Sequence, residues 1–299
     1  MNKRPHLLLI DGMALLFRAF YATAVTGQFM VNSKGMPTNG VQGFLRHLLL
    51  AAENKKPTHV AVCWDMGSKT FRNDLYGEYK ANRDVPPVEM IPQFGLAKET
   101  VEAFEIPNVG VAGYEADDCL GTLSCRFKDE ADISILTGDR DILQLLDDHV
   151  EVHLLQKGFG NYKTYTKAAF MDEYGVTPRQ FIDVKALMGD ASDGYPGVKG
   201  IGEKTAFKLV SRFGNISGIL EHLGELTPSQ QKKIEAGLEM LHLSRKLAEI
   251  RCDVPVAFSL EEARFGQIPE TFMELMEELE LKMVKRHLVT ARINASFIS

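Results

Sequence analysis

The first 155 residues alternate short apolar segments with longer segments whose apolar residues recur at helical spacing. Strand-like segments lie at 6–10, 59–64, 133–136 and 150–154, and helix-like segments lie at 13–21, 41–52, 92–104 and 116–127. Short apolar strands between helices are typical of a parallel sheet covered on both faces. The pattern predicts an α/β fold, with a mostly parallel central sheet flanked by helices.

The domain organisation changes near residue 168. We place an α/β core at 1–168 and a mostly helical subdomain at 169–299. Residues 66–90 form a charged insert within the core, and connections of this length are usually functional. The segment 261–280 contains seven acids and one base, so its net charge of −6 equals that of the whole chain. The acidic balance is therefore local and does not exclude a nucleic-acid partner.

The bulk composition predicts a cytoplasmic protein. No apolar run approaches the roughly 18 residues of a membrane span, and the first apolar run is too short for a signal peptide. The four cysteines match no zinc-binding spacing, so we expect them to be reduced. We expect no membrane partner.

Acidic residues stand where the predicted strands end. Because these ends share one edge of a parallel sheet, Asp11, Asp65, Asp139 and Asp141 should lie together. Two further motifs supply more acids, GYEADD with Glu115, Asp117 and Asp118, and GDASDG with Asp190 and Asp193.

Each motif alone has an ordinary structural explanation, because acids cap helices and aspartate favours turns. Nine converging carboxylates, however, would repel one another unless cations were bound. An all-oxygen ligand set favours Mg²⁺ or Mn²⁺, and two such ions perform in-line phosphoryl displacement. The cluster therefore predicts phosphodiester hydrolysis with water as the nucleophile.

Basic residues occur in two segments that suit nucleic acid. Residues 195–212 combine a glycine-rich turn with lysines at helical spacing, a pattern that suits the sugar–phosphate backbone; the residues are Gly197, Lys199, Gly200, Gly202, Lys204 and Lys208. The insert interleaves basic and aromatic residues, which suits single strands; they are Lys69, Arg72, Tyr76, Tyr79, Lys80 and Arg83. The alternatives are an ordinary turn and a solvated loop. Arg18 follows Asp11 by two helical turns and either faces the scissile phosphate or lies on the surface.

Five motifs resemble the bacterial and phage 5′-nuclease (flap endonuclease) family, in particular the 5′-3′ exonuclease domain of bacterial DNA polymerase I. They occur in the family's order over residues 5–255; the motifs are LLLIDGMALLFRAFYA, WDMGSKTFRNDLYGEYKANRD, GYEADDCLGTL, ILTGDRDILQLL and ALMGDASDGYPGVKGIGEKTA. The resemblance implies a helical arch at 66–90 and a helix-turn-helix element at 195–212 that grips duplex DNA.

The resemblance also implies individual roles. The first metal group would be Asp11, Asp65, Glu115 and Asp117, with Asp118 beside it. The second would be Asp139, Asp141, Asp190 and Asp193. Lys80, Arg83 and Arg18 would be catalytic, Tyr79 would stack on a base, and the turn GVKGIG would hold K⁺ on backbone carbonyls.

The implied activity is that of a structure-specific 5′-3′ exonuclease or flap endonuclease acting in primer removal and repair. Its substrates would be DNA with a 5′ flap, a nick or a free 5′ end, RNA-primed strands included. We expect a nucleoid-associated monomer with replication or repair partners. No polymerase sequence follows the motifs, so we expect a stand-alone nuclease. The alternatives are an RNA-directed nuclease and a catalytically silent DNA-structure binder.

Overall fold

A single six-stranded sheet organises the computed structural model, which describes residues 4–24 and 29–290. The strands are β1 (His6–Asp11), β2 (His59–Cys63), β3 (Asn108–Val109), β4 (Asp132–Thr137), β5 (Val150–Leu155) and β6 (Tyr162–Tyr165). Their order across the sheet is β3-β2-β1-β4-β5-β6. Only the pairing of β5 with β6 is antiparallel within this sheet. The predicted α/β fold with a mostly parallel sheet is confirmed.

The predicted strands and helices of the core lie close to their observed positions, and α5 coincides with its prediction. Two strands were not predicted. β3 has two residues, and β6 is a mostly polar edge strand, so neither has the apolar run that marks a buried strand.

Helices cover both faces of the sheet and form the C-terminal part. Those of the core are α1 (Gly12–Ala24), α2 (Asn39–Lys55), α3 (Phe71–Leu75), α4 (Ile91–Ala103) and α5 (Ala116–Phe127). Those that follow are α6 (Lys167–Tyr174), α7 (Phe181–Met188), α8 (Glu203–Phe213), α9 (Ile216–Glu221), α10 (Pro228–Ala236), α11 (Leu238–Ala248), α12 (Glu270–Glu278) and α13 (Lys282–Thr290). Short 3₁₀ helices lie at Arg140–Leu145, Leu223–Glu225 and Glu261–Ala263.

The alternation of side chains along β1 divides the core between the two faces. Leu7 and Leu9 pack in one apolar cluster, which includes α5 and extends into the C-terminal helices. Leu8 and Ile10 pack in the other, against α1, α2 and α4. Both clusters are therefore built on the central strand, whose last residue is Asp11.

The acidic segment 261–280 is docked against the core. Phe272 of α12 stacks on Phe104 with ring centroids 4.4 Å apart, and Met276 is also buried. Glu270, Glu274, Glu277 and Glu278 of the same helix face solvent. The segment is thus an amphipathic helix with a charged outer face.

No helix within residues 4–24 and 29–290 is long and apolar enough to cross a membrane. The last nine residues of the predicted helical subdomain, 291–299, lie outside the described part of the chain.

Candidate active site

The carboxyl ends of β1, β2 and β4 lie side by side and open onto one cleft. Asp11 is in register with Cys63 of β2, and Ile10 is in register with Leu136 of β4. The cleft has a volume of about 1010 Å³, and seven of the nine predicted acids line it together with Asp84 and Glu203; the seven are Asp11, Asp65, Glu115, Asp117, Asp139, Asp141 and Asp190. The strand-end carboxylates therefore share one edge, as parallel pairing requires.

Asp11 is buried at the centre of this edge. Its Oδ1 accepts a hydrogen bond from the Ala14 N–H at 2.9 Å, and its Oδ2 accepts one from the Thr137 hydroxyl at 2.7 Å. Burial raises the pKa of Asp11 to about 6, and the charges of Asp65 and Asp139 act in the same direction. The two hydrogen bonds offset only part of this cost.

The charged forms of three further carboxylates, those of Asp65, Asp117 and Asp139, are disfavoured in the same way. Burial raises the pKa of each carboxyl, and neighbouring carboxylates raise it further. In the described part of the chain none of the three, nor Asp11, forms an ion pair, because the nearest cations are bound to other acids. These four partly or fully buried carboxylates thus share a cleft, and no basic side chain within 4–24 and 29–290 pairs with them.

Asp141 and Asp190 differ from that group because Lys185 lies between them. The Lys185 Nζ is 2.7 Å from Asp141 Oδ1 and also bonds to Asp190 Oδ2. Burial raises the pKa of Asp141 to about 7. Burial also opposes the charge on Asp190, but Lys185 and Ser192 outweigh it and lower its pKa to about 2. This half of the site therefore contains its own counter-charge.

The insert is held against the acidic edge by a network of polar contacts. The Lys80 Nζ is 2.7 Å from Glu115 Oε1, and Arg83 Nη2 is 2.7 Å from Asp193 Oδ1. The Tyr79 hydroxyl donates to Glu115 and to Asp193, at 3.2 and 3.0 Å. Although burial opposes the charge on Lys80, Glu115 and Asp193 raise its pKa. Lys80 and Arg83 are consequently charged and line the cleft.

Arg72 does not have the position that a DNA contact requires. It is 2% exposed, and it donates to both oxygens of Asp118 at 2.7 and 2.9 Å. Asp118 is fully buried and accepts from the Glu115 N–H at 3.1 Å, so it caps α5. The predictions that Arg72 binds DNA and that Asp118 binds a metal ion are therefore wrong. The guanidinium of Arg72 and the carboxylate of Asp118 pair with each other in the protein interior.

Tyr79 also departs from its predicted role. Its side chain is 3% exposed, and its hydroxyl is used by two carboxylates, so the ring has no free face for a base. Within 66–90 the helix α3 has five residues and the rest is turns and extended chain. The segment is therefore largely non-helical, in contrast to the helical arch that the family resemblance implies.

The glycine-rich turn before α8 has the backbone shape that only glycine permits. Gly197 has φ +60°, and a Cβ there would lie 2.3 Å from the Gly189 nitrogen. Gly202 precedes α8, while Lys199, Lys204 and Lys208 are all exposed. The carbonyl of Gly200 accepts a hydrogen bond from Lys233 Nζ at 3.1 Å. An ammonium group thus contacts the turn at which a K⁺ ion is predicted.

Two family models together match most of the chain. Residues 6–175 match the N-terminal resolvase-like domain of 5′-3′ exonucleases, and residues 176–271 match their C-terminal SAM fold. The chain belongs to the 5′-3′ exonuclease family. The two matches meet at Gly175, the left-handed residue that ends α6, whereas the sequence-based division after residue 168 falls within that helix.

Individual relatives of this exonuclease include a protein of similar length and larger proteins of which this chain matches one part. A 5′-3′ exonuclease of Bacillus subtilis is 60% identical over 94% of this chain and 95% of its own length. The DNA polymerase I of Bacillus caldotenax is 41% identical over 92% of this chain, which spans only 31% of that polymerase.

Solved structures share the fold at lower identity. The phage T5 D15 flap endonuclease, in complex with DNA and metal ions, superposes with a TM-score of 0.67 at 22% identity, over 96% of this chain and 99% of that one. The catalytic core of Rad2 with a DNA substrate superposes with a TM-score of 0.61 at 15% identity, over 96% and 93% of the two chains.

Several residues of the exonuclease cleft carry no clear signal in the sequence. Phe17 and the half-exposed Tyr21 stack with ring centroids 6.2 Å apart, and both line the cleft. Arg18, which was predicted to be catalytic, lies between them in sequence, is exposed and donates to the Gln156 carbonyl at 2.5 Å. The helical spacing of Phe17 and Tyr21 is also what two ordinary core residues would show, so it does not mark them as functional. Lys185 lies in an apolar helix, and only the presence of a charge in that helix could have indicated its role.

Proposed function

We propose that this exonuclease hydrolyses DNA phosphodiester bonds at 5′ flaps, nicks and free 5′ ends with the help of two divalent metal ions. The observation behind the proposal is a set of four carboxylates that form no ion pair within the described residues and face one cleft with Lys80 and Arg83; they are Asp11, Asp65, Asp117 and Asp139. Their raised pKa values mean that the cleft favours added positive charge. A hard divalent cation provides it, and oxygen ligands favour Mg²⁺ or Mn²⁺.

The donor set fits such ions, although it would have to close around them. In the described residues no three Asp, Glu, His or Cys side chains are already arranged to hold a metal. Asp11, Asp65, Glu115 and Asp117 would hold one ion, and Asp139, Asp141, Asp190 and Asp193 would hold the other. When bound, these ions stabilise negative charge on the reacting phosphate and make water a better nucleophile.

The remaining groups of the cleft bind and orient the phosphate. Lys80 and Arg83 now pair with Glu115 and Asp193, and both would exchange these partners for a phosphate once metal neutralises the carboxylates. Arg18 is exposed, lines the same cleft and would also contact the phosphate. These are preorganised positive charges around a site of developing negative charge.

The substrate proposal rests on two surfaces. Exposed lysines on α8 and the glycine-rich turn would hold the duplex backbone without base contacts. Phe17 and Tyr21 would stack on unpaired bases beside the cleft, in place of the buried Tyr79. A monomer of this kind would act in primer removal and repair, with RNA-primed 5′ ends among its substrates and replication or repair proteins as partners. K⁺ at the glycine-rich turn and a nucleoid location in the cytoplasm complete the proposal.

The test is cleavage of a 5′-labelled flap duplex with Mg²⁺ and with EDTA. The wild type is compared with Asp139→Asn/Asp190→Asn, and the matched control is Asp129→Asn/Asp172→Asn, which changes two exposed acids outside the cleft. We expect metal-dependent cutting near the flap junction that is lost only in the cleft variant. Tight flap binding without cutting by the wild type would instead identify a DNA-structure binder. Preferential cutting of an all-RNA flap duplex would favour the RNA-directed alternative.

A further inference from the structure

Two thiols that are distant in sequence meet at the surface, away from the acidic cleft. Cys125 on α5 and Cys252, after α11, are 127 positions apart, and their Sγ atoms lie 2.6 Å apart. Cys125 is exposed and Cys252 is half-buried, whereas the other two cysteines, Cys63 and Cys119, are buried. This thiol pair has no role in the proposed hydrolysis.

Cys252 belongs to a segment that lies along one face of α5, which we name the strap and define as residues 250–256. The Thr122 hydroxyl accepts from the Val254 N–H at 3.1 Å, and Arg126 donates to the Val256 carbonyl at 3.0 Å. A Cβ at Gly121 would lie 2.7 Å from the Arg251 carbonyl, so glycine is required for this close approach. Cys125 lies on the same face, one turn after Gly121, and the thiol contact therefore occurs within a long, continuous packing interface.

The surroundings favour reaction of Cys125. Its contact with Cys252 lowers the pKa of the Cys125 thiol to about 7, and Lys128 and Arg179 act in the same direction. The thiolate is the nucleophile in disulfide chemistry, so a substantial fraction of Cys125 is reactive at neutral pH. The same contact and burial raise the pKa of Cys252, which would remain a thiol. An exposed thiol with a lowered pKa thus lies beside a second thiol, the arrangement that a resolving cysteine requires.

We propose that Cys125 and Cys252 form a reversible disulfide that fastens the strap to α5 when a peroxide is present. The Cys125 thiolate attacks one peroxide oxygen, which becomes its sulfenic acid, and the other oxygen leaves as water after taking up a proton. Cys252 sulfur then attacks the Cys125 sulfur, the S–S bond forms, and the sulfenic oxygen leaves as a second water. The two thiols lose two protons and two electrons, and the peroxide is reduced.

The strap also forms a hydrogen bond to a residue beside the acidic site. The Arg251 N–H donates to Asp118 Oδ1 at 2.9 Å, and Asp118 in turn holds Arg72. Arg72 donates to the Glu249 carbonyl at 3.0 Å, just before the strap. A disulfide one residue from Arg251 would therefore restrain the residues on which the start of α5 is built.

The experiment counts thiols in the full chain before and after treatment with hydrogen peroxide. We expect four free thiols in the denatured reduced protein and two after oxidation, with Cys125 and Cys252 joined in one peptide by non-reducing mass spectrometry. The melting temperature should rise by about 5 °C, because the new bond closes a long loop. Hydrogen exchange of the Val254 amide should slow, and dithiothreitol should reverse all three changes.

Two variants provide the controls. Cys125→Ser should show neither the linked peptide nor the rise in melting temperature after peroxide. Cys252→Ser should stop at the sulfenic acid of Cys125, which a dimedone probe detects by mass. Retention of four thiols, a bond between Cys125 and Cys119, or a dimer linked through Cys125 would each overturn the proposal.

Discussion

The ammonium group of Lys185 lies 2.7 Å from the carboxylate of Asp141, and the Lys185 side chain is almost fully buried. The same ammonium bonds to Asp190, so one lysine serves two of the acids assigned to the second metal group. Lysine is rarely buried without such partners. It therefore acts as the counter-charge of this half of the cleft, and a second metal ion would have to compete with it.

Lys185→Met should strengthen metal binding while it destabilises the metal-free protein. The substitution keeps most of the unbranched side chain but removes the competing charge, so we expect Mn²⁺ to bind about tenfold more tightly, a change of about 1.4 kcal/mol. Calorimetric titration measures the affinity, and melting in EDTA measures the stability. Lys163→Met removes an exposed lysine from an ion pair with Glu173 and should change neither. Weaker Mn²⁺ binding by Lys185→Met would mean that Lys185 supports the ion instead of competing with it.

Arg72→Met should lower the free energy of unfolding, and DNA binding should not be its main effect. Removal of one partner of a buried ion pair leaves the other charge uncompensated, which costs about 3–5 kcal/mol in the free energy of unfolding. Denaturant titration measures this loss. Arg251→Met breaks an exposed pair with Asp253 and should cost less than about 1 kcal/mol. Wild-type stability of Arg72→Met with weakened DNA binding would restore the sequence-based prediction.

Asp11→Asn should alter how stability depends on pH when EDTA is present. Burial raises the folded-state pKa of Asp11 to about 6, above its unfolded value. Its carboxyl therefore favours folding below about pH 4, and this contribution is lost as the pH rises to about 6. Between these pH values, we expect the asparagine variant to gain about 2 kcal/mol in the free energy of unfolding relative to the wild type. Denaturant titrations at several pH values would show it, and a constant difference would contradict the raised pKa.

Lys204→Ala/Lys208→Ala should weaken duplex binding equally for all sequences. If both lysines contact phosphates, the slope of log affinity against log salt concentration should become less steep by about 2. Fluorescence anisotropy with a labelled nicked duplex at several salt concentrations gives the slope. Lys282→Ala/Lys285→Ala on α13 is the control, because it removes the same charge from a helix distant in sequence. An unchanged slope for the α8 variant would exclude phosphate contacts at these positions.

Phe17→Ala/Tyr21→Ala should weaken the binding of DNA with a single-stranded flap. Stacking of a base on an aromatic ring contributes about 1–3 kcal/mol, so the affinity for a flap should fall about tenfold or more. Binding of a blunt duplex without unpaired bases should be unchanged and serves as the control substrate. Circular dichroism and melting check that the core beneath Phe17 remains folded. Equal losses for the flap and the blunt duplex would show a structural effect.

Much of the fold and part of the site follow from local patterns in the sequence. The alternation of apolar strands with helices predicts a parallel sheet. Parallel strands bring their carboxyl ends to one edge, and this geometry alone predicts that Asp11, Asp65 and Asp139 are neighbours. The start of α5 follows equally well, because the acids of GYEADD suit a helix N-terminus. In each case the relevant interaction is short-range or is dictated by the periodicity of a regular element.

Only the tertiary structure decided which of the nine acids are free. Asp118 is occupied by Arg72, 46 positions away, and Asp190 and Asp141 by a lysine of α7. The burial of Tyr79 and the meeting of Cys125 with Cys252 likewise depend on elements far apart in the chain. Burial and charge pairing are set by the sum of all such contacts, and no periodicity in the sequence records them. The sequence by itself therefore determined where the acidic edge is, and the packing determined which of its carboxylates remain available for chemistry.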